Sequence, residues 1–375
     1  MKGTDMNIKK LYGKYILTGI LLGCFISIKP MKQTYILKKD TIKGKNLFWE
    51  SDHALSILQK NNNITTYDIK ERTCQKYTHN VPDLHFLKQS KHSHQALTAL
   101  ITPLLEKKWQ LIQLGKNNLL GETDIIQGDH TKEETSYSFC WNPTPKNEFA
   151  IATKNHIKIY TYIKKENTTK LKKELPINMT TKDNYIHTMY SPSGKYIALK
   201  KAGTLDYSTK RPKATYFVEI LDIENNRLVT QLELSSYACM FPCTHVAFLA
   251  IKGIDILMTI EKNKIKPNTS IITLLKIEDT KTTILKEIII DEEITRIALS
   301  PDGNTVAFTS RSSNKHVKYI NLMSESSTEI TNTEEHKKPI SRITFCPNGK
   351  YIASLSDPEY DNKELIIWKN PLYKK

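Results

Sequence analysis

Three segments of this chain repeat one pattern: an apolar run ending in Pro, a tight turn containing Gly, then a second apolar run carrying Ile/Val-Ala. They read Tyr190-Ser-Pro-Ser-Gly-Lys-Tyr-Ile-Ala198, Leu299-Ser-Pro-Asp-Gly-Asn-Thr-Val-Ala307 and Phe345-Cys-Pro-Asn-Gly-Lys-Tyr-Ile-Ala353. Gly194, Gly303 and Gly349 follow Ser, Asp and Asn, residue pairs that tolerate the positive backbone angles of a short hairpin. Each turn therefore joins two strands. A unit this small cannot bury both faces of its own sheet, so it must stack on copies of itself.

Two weaker copies keep the proline: Cys140-Trp-Asn-Pro143 followed by Phe149-Ala-Ile-Ala152, and Met240-Phe-Pro242 followed by Val246-Ala-Phe-Leu249. The anchors Pro143, Pro192, Pro242, Pro301 and Pro347 are spaced by 49, 50, 59 and 46 residues. That is near the roughly 40 to 50 residues of a four-stranded propeller blade. Two upstream segments keep the apolar skeleton without the proline. Leu47-Phe-Trp49 leads to Ala54–Leu58 and Ile64–Ile69, and Leu84–Leu87 leads to Ala96–Leu100 and Trp109–Leu114. The expected fold is all-β, a seven-bladed propeller of four-stranded antiparallel blades starting near 46, 83, 136, 185, 237, 293 and 339.

In the last blade the expected strands are Ser341–Cys346, Tyr351–Ser356 and Glu364–Lys369, one short of four. An unpaired sheet edge is a liability. Residues 34–42, with Tyr35–Ile42 of strand composition and no blade of their own, are expected to supply the missing strand and close the ring. The propeller then fills residues 34–375.

The pattern resembles the WD-repeat propeller family, most closely in the last blade. His336 precedes Ile340–Ser356, and the blade ends Leu365-Ile-Ile-Trp-Lys369. In that family a loop His, a second-strand Ser, a loop Asp and a third-strand Trp form a buried hydrogen-bond chain, which the resemblance assigns to His336, Ser356, Asp361 and Trp368. Asp357 is a rival to Asp361, and the family's closing Trp-Asp pair is absent throughout. Periplasmic propellers with Ser-Pro-Asp-Gly turns, the Tol-associated one among them, are almost as similar. The same His336, Ser356 and Asp361 could be read as a hydrolase triad. A nearby Trp N–H that needs an acceptor makes the structural reading the better one, and no Gly-x-Ser-x-Gly elbow is present.

A formal charge of +16 invites a nucleic-acid reading, but 49 of the 55 basic residues are Lys. Arg, which forks onto phosphate and stacks on bases, supplies only six. No nucleic-acid partner is expected. At 39% apolar and 25% charged, the composition is that of an ordinary globular chain. Residues 1–23 read as a signal peptide: a basic start, an apolar Tyr15–Gly23, then Leu21-Leu-Gly-Cys24. This resembles the bacterial lipoprotein box, which implies lipid attachment at Cys24, a linker over 24–33 and membrane tethering in a bacterial envelope. The alternatives are an uncleaved anchor or a plain signal peptide, or, if residues 1–33 are no leader at all, a cytoplasmic protein. The remaining five cysteines cannot all pair, and free buried thiols are the expected state.

His79, His85, His92 and His94 cluster in the second blade, yet nothing fixes further ligands, so no metal or cofactor is expected. Function is sought in the loops of a rigid scaffold. The loop 200–214 carries Lys200, Lys201, Tyr207, Lys210, Arg211 and Lys213; the fifth blade's loop carries Lys262, Lys264 and Lys266; the sixth's carries Arg311, Lys315 and His316. The seventh is acidic, with Asp357, Glu359 and Asp361. Such a polarised rim suits an acidic protein partner. The innermost strands offer few ionisable groups, Arg296, Arg342 and His187. The expectation is a monomeric, non-enzymatic, envelope-tethered scaffold for protein–protein contacts; the alternative is a propeller hydrolase or lyase with a site in the central channel.

Overall fold

The structure is a computed structural model that describes residues 33–38, 44–49, 51–59, 64–71, 73–77, 96–101, 108–114, 125–129, 136–153, 156–163, 166, 168–177, 184–206, 213–237, 245–263, 265–266, 268–324, 330–331, 336–356 and 364–373. Among them every regular element is a strand. The first sheet contains β2 (Gly44–Trp49), β3 (Ala54–Gln59), β4 (Ile64–Asp68) and β5 (Thr73–Tyr77). The second contains β6 (Ala96–Ile101), β7 (Lys108–Leu114) and β8 (Ile125–Asp129). The third contains β9 (Ser136–Trp141), β10 (Glu148–Thr153), β11 (His156–Ile163) and β12 (Thr168–Pro176). The fourth contains β13 (Asn184–Tyr190), β14 (Tyr196–Asp206), β15 (Lys213–Asp222) and β16 (Arg227–Tyr237). The fifth contains β17 (His245–Ile251), β18 (Ile254–Lys262), β19 (Ser270–Ile277) and β20 (Thr282–Ile290). The sixth contains β21 (Ile294–Leu299), β22 (Thr305–Ser310), β23 (Lys318–Asn321) and β24 (Ile330–Thr331). The seventh contains β25 (Ile340–Phe345), β26 (Tyr351–Ser356) and β27 (Glu364–Lys369), with β1 (Gln33–Lys38) as a fourth strand from the other end of the chain. The first six sheets are antiparallel meanders in chain order, and in the seventh β1 pairs antiparallel with β27, with Tyr35 opposite Ile367 and Leu37 opposite Leu365.

The core lies between sheets. Ile157, Ile159, Leu175, Tyr190, Ile197 and Leu199 form one cluster across sheets three and four. Val218, Ile220, Leu257 and Ile277 join four to five, and Met258, Ile272, Ile288, Val306 and Phe308 join five to six. Tyr319, Ile343, Ile366 and Trp368 join six to seven, while Leu55, Ile57, Leu355 and Leu365 join seven to the first. Because both faces of a middle strand are covered, β10 and β22 are buried at every position. This explains why those strands read as unbroken small and apolar runs rather than as alternating ones. The outer strand β12, with solvent on one face, alternates and carries Lys170, Lys172 and Lys173.

The three repeated turns share one hydrogen-bond design. Ser191 N donates to Tyr196 O at 2.9 Å, Gly194 N to Ser191 O at 2.9 Å, and Tyr196 N to Ser191 Oγ at 3.1 Å. Ser300 and Cys346 repeat it: Thr305 N reaches Ser300 Oγ at 2.8 Å and Tyr351 N reaches Cys346 Sγ at 3.0 Å. Cys140 and Cys346 are both buried free thiols. Gly194, Gly303 and Gly349 have φ of 73°, 74° and 74°, the left-handed region that disfavours a Cβ.

These turns also touch the neighbouring sheet. Ser193 N donates to Asp255 Oδ1 of the fifth sheet at 3.0 Å, and Asn348 N to Asp52 Oδ1 of the first at 2.8 Å. Gly194 backs onto Asn142 and Thr144, Gly303 onto Leu249 and Ala250, and Gly349 onto Pro301.

One element departs from the expected register. Val246–Leu249 is not a second strand but lies in β17, the first of its sheet, and Tyr237 belongs to β16 of the sheet before. The hairpin turn of this sheet is Lys252-Gly253, with φ of 52° and 78°, so Ile251 pairs with Ile254. A two-residue turn of this kind needs no proline, so Pro242, which lies outside the described residues, does not mark it. The expected first strand at Leu84–Leu87 also lies outside them.

A Cβ at position 194 would sit 2.5 Å from Asn142 Oδ1, whereas one at 349 would meet Pro301 Cδ at 3.5 Å. Gly349→Ala should therefore cost only the left-handed penalty of about 1–2 kcal/mol. Gly194→Ala should cost about 1–3 kcal/mol more for the overlap. Urea unfolding of the two variants checks the order; equal losses would show that the inter-sheet contact at Gly194 is not tight.

Candidate interaction face

The connections between second and third strands emerge on the same side as those between one sheet's last strand and the next sheet's first. On that side the segment 200–214 is largely not a loop. Lys200–Asp206 continues β14 and Lys213–Ala214 begins β15, with Asp206 opposite Lys213 and Leu205 opposite Ala214. The third strand of this extension is the end of β16, where Ser236 faces Ala214 and Tyr237 faces Lys213. Strand β13 stops at Asn184 opposite Ala202. Among the described residues, β14, β15 and β16 run on beyond that point without it for about four residues, or about 13 Å at strand rise. They form a projecting three-stranded arm. Its apex, with Tyr207, Lys210 and Arg211, lies outside the described residues.

Lys201 is not part of an exposed surface. Its side chain is 5% exposed and Nζ meets Glu219 Oε1 at 2.5 Å. Lys200 is equally enclosed, its ammonium 4.6 Å from the Tyr216 ring centre, and burial pushes its pKa down to about 8. Both sit inside β14, where neighbouring sheets cover both faces. A Lys-Lys pair beside a strand signal cannot reveal this in a sequence so rich in lysine.

The fifth- and sixth-sheet basic groups are matched by carboxylates. The turn Asp291-Glu292-Glu293, between β20 and β21, lies among them. Lys266 Nζ reaches Asp291 Oδ1 at 2.7 Å, Lys262 Nζ reaches Glu293 Oε2 at 3.3 Å, and Arg311 lies 3.6 Å from the same oxygen. Lys318 Nζ and Ser312 Oγ donate to Glu292 at 2.6 and 3.0 Å. Against the burial that opposes it, hydrogen bonds led by that from Lys318 hold the Glu292 carboxyl below its ordinary range. Lys315 contributes its carbonyl, which accepts from His336 N at 3.0 Å. The rim is thus an ion-pair belt here, not an open basic patch. The acidic triplet closing β20 was the available signal for it. Lys264, Cys24, the acidic loop with Asp357, Glu359 and Asp361, and the histidines 79, 85, 92 and 94 lie outside the described residues.

The expected His-Ser-Asp-Trp chain takes a different course. His336 is fully buried, and its Nε2 shares a 2.6 Å hydrogen bond with Ser354 Oγ, not with Ser356. Ser354 and Ser356 lie on the same face of β26, but Ser356 Oγ accepts from Glu364 N at 2.8 Å, at the head of β27. The deeper Ser354 is the one level with the imidazole. Trp368 meets the His336 ring edge to face at 5.8 Å, and its Nε1 has no hydrogen-bond partner among the described residues. Glu364 Oε2 lies 3.9 Å from His336 Nδ1 and accepts from Lys337 N at 2.7 Å. Burial first, and the nearby His316 second, lower the His336 pKa to about 3, so the attraction of Glu364 is outweighed.

The stacked four-stranded sheets define the class of protein: an all-β propeller. Its solved relatives by fold are the β-propeller domain of Cps50 (Swd1) from Myceliophteria thermophila, at TM-score 0.59 and 12% identity over 91% of this chain and all of that one, and a chain of the Mitotic Checkpoint Complex, at 0.60 and 11% over 91% and 93%. A chain of Kuenenia stuttgartiensis hydrazine synthase is also similar, at 0.54 and 11% over 90% and 98%. No protein-family model and no curated protein sequence matches the chain.

Because folded His336 binds a proton less readily than the ordinary imidazole of pKa 6.5, the unfolded chain takes up the extra proton on acidification. The stability tied to the neutral ring is complete above that value and is lost as pH falls toward about 3. Unfolding should become up to about tenfold more favourable per pH unit below 6.5. His336→Gln should flatten that slope by close to one proton. Urea midpoints between pH 8 and 5 give the reading, and an unchanged slope in the variant would remove His336 as its source.

Proposed function

We propose that this chain is a non-enzymatic, seven-bladed propeller that serves as a scaffold for protein–protein contacts. The seven sheets, six of them joined in series by core clusters from the third round to the first, and the pairing of β1 with β27 across the two ends of the chain support a closed ring. The two fold relatives named with Swd1 and with the Mitotic Checkpoint Complex support the scaffold reading. The hydrazine synthase chain shows that the same architecture also occurs in an enzyme, so the fold alone does not choose between them.

The observation that carries the reading is the β14–β15–β16 arm. It extends past the sheet that supports it, it is anchored at its base by the buried Lys201–Glu219 pair, and the sequence places Lys210, Arg211 and Lys213 at or beside its apex. A projection whose apex the sequence makes cationic suits an acidic protein surface. On the same side Lys262, Lys266, Arg311 and Lys318 are engaged by Asp291, Glu292 and Glu293, which favours the arm as the contact. Replacing Lys210, Arg211 and Lys213 together by Glu should abolish capture of the partner from a lysate of the native organism while leaving the melting temperature unchanged. Retained capture would overturn the arm as the docking element.

The scaffold is further proposed to be tethered in a bacterial envelope through a lipid on Cys24, on the basis of the basic, apolar and Leu21-Leu-Gly-Cys24 order. The mass of the mature N-terminus from the native membrane fraction is expected to correspond to an acylated Cys24. An intact Met1 in the soluble fraction would make the protein cytoplasmic.

A further inference from the structure

The outermost strand of a stacked sheet carries one row of backbone N–H and C=O groups with no strand beside it, and proteins guard such a row with charged side chains or proline. Two outer strands of this chain are guarded in that way. β12 exposes Lys170 and Lys172 and ends in Pro176, and β16 exposes Arg227, Gln231 and Glu233. β20 differs. Among the described residues it pairs only with β19, and it exposes Ile284, Leu285 and Ile289 at 63%, 51% and 61%. Its single lysine, Lys286, is spent on the sixth sheet: Nζ donates to Leu322 O at 3.0 Å and to Ser324 O at 2.6 Å, in the turn that follows β23.

Register decides which side chains an added strand meets, because directly opposite residues of an antiparallel pair share a face. Lys286 and Ile288 stand opposite Leu274 and Ile272, which belong to the core between sheets five and six. The pairing skips Leu285, and Ile284 stands opposite Leu275, of the core between sheets four and five. Alternation puts Glu287 and Ile289 on that same side. Glu287 is exposed and has no ion pair or hydrogen bond among the described residues, in a chain where basic residues outnumber acidic ones by 55 to 39. An uncompensated carboxylate between exposed isoleucines is matched by a basic side chain between apolar ones.

We infer that β20 is a docking edge for an extended segment of a partner protein, one that sets a Lys or Arg opposite Glu287 and apolar side chains at the alternate positions on either side of it. Backbone hydrogen bonds to the open edge hold the segment, and Ile284, Glu287 and Ile289 select it. A second copy of this chain fits less well. Two β20 strands related by a two-fold axis at the middle of residues 284–290 set Glu287 opposite Glu287, where like charges repel, and each chain carries a net +16. The edge goes beyond the arm of the fourth sheet, since it adds a strand to the fifth and recognises the opposite charge.

The test uses the full chain and a fluorescein-labelled heptapeptide, Thr-Val-Thr-Lys-Thr-Val-Thr, whose two valines and lysine share one face when extended. Fluorescence anisotropy should show saturable binding, at least tenfold weaker for the peptide with Glu in place of Lys, and hydrogen exchange should slow at the amides of β20. Glu287→Lys should reverse the preference between the two peptides. Ile289→Lys, which guards the edge, should weaken binding of the lysine peptide at least fivefold, whereas Leu171→Lys on β12 should leave it unchanged. Glu287, Ile289 and Leu171 are all exposed, so these variants should fold, and their melting curves verify it. No saturable binding, equal binding of the two peptides, or a preference that Glu287→Lys does not alter overturns the inference. Sedimentation equilibrium reads the other occupant: a dimer of the chain that Ile289→Lys dissolves would assign the edge to a second copy and overturn the partner segment. Lysate capture through Lys210, Arg211 and Lys213 reads the arm on a different sheet, so the scaffold reading stands or falls separately.

Discussion

Everything in this fold follows from the inability of a four-stranded sheet to be covered by itself. Each sheet has two apolar faces, and in a chain whose described elements are all strands the only cover available is another sheet. The clusters that join sheets three to four, four to five, five to six, six to seven and seven to one are the direct result. The core is therefore distributed over many thin interfaces. A local error in one of them loosens two sheets, not the whole chain.

Stacking also sets what the turns must be. A sheet pressed against its neighbour brings its first hairpin close to the neighbour's, and a side chain at the left-handed turn position has no room. The glycines serve both needs at once, most tightly at Gly194, while Ser193 and Asn348 use the same proximity to bond Asp255 and Asp52. At the far ends of the strands the same crowding makes ion pairs. Cations of the second-to-third-strand connections fall beside the acidic turn that leads into the next sheet, so Lys262, Lys266, Arg311 and Lys318 find Asp291, Glu292 and Glu293.

Much of this was legible in the chain. The repeated Pro-x-Gly turns with flanking apolar runs announced hairpins, and the strand-forming segment before the first sheet, with no sheet of its own, announced a strand looking for a partner. Where legibility ended, the reason was geometric. Val246–Leu249 was misplaced because Lys252-Gly253 makes a hairpin without the proline that marked the others. Ser354 rather than Ser356 meets His336 because two serines on one strand face differ only in depth. Lys201 read as a loop cation because its buried partner Glu219 stands on the next strand, and a Lys-Lys pair at the end of an apolar run looks the same in sequence whether the strand stops or continues.

The sequence by itself determined the class of architecture, since period, turn chemistry and apolar runs are local properties carried by neighbouring residues. Only the tertiary structure decided which charges are spent and which are presented. Whether a lysine meets a glutamate, or the carbonyls of the next sheet, depends on residues tens of positions apart that share a face only after the sheets have stacked. Burial and partner are properties of that stacking, so the fate of Lys201, of Lys286 and of His336 could not be read from any segment alone.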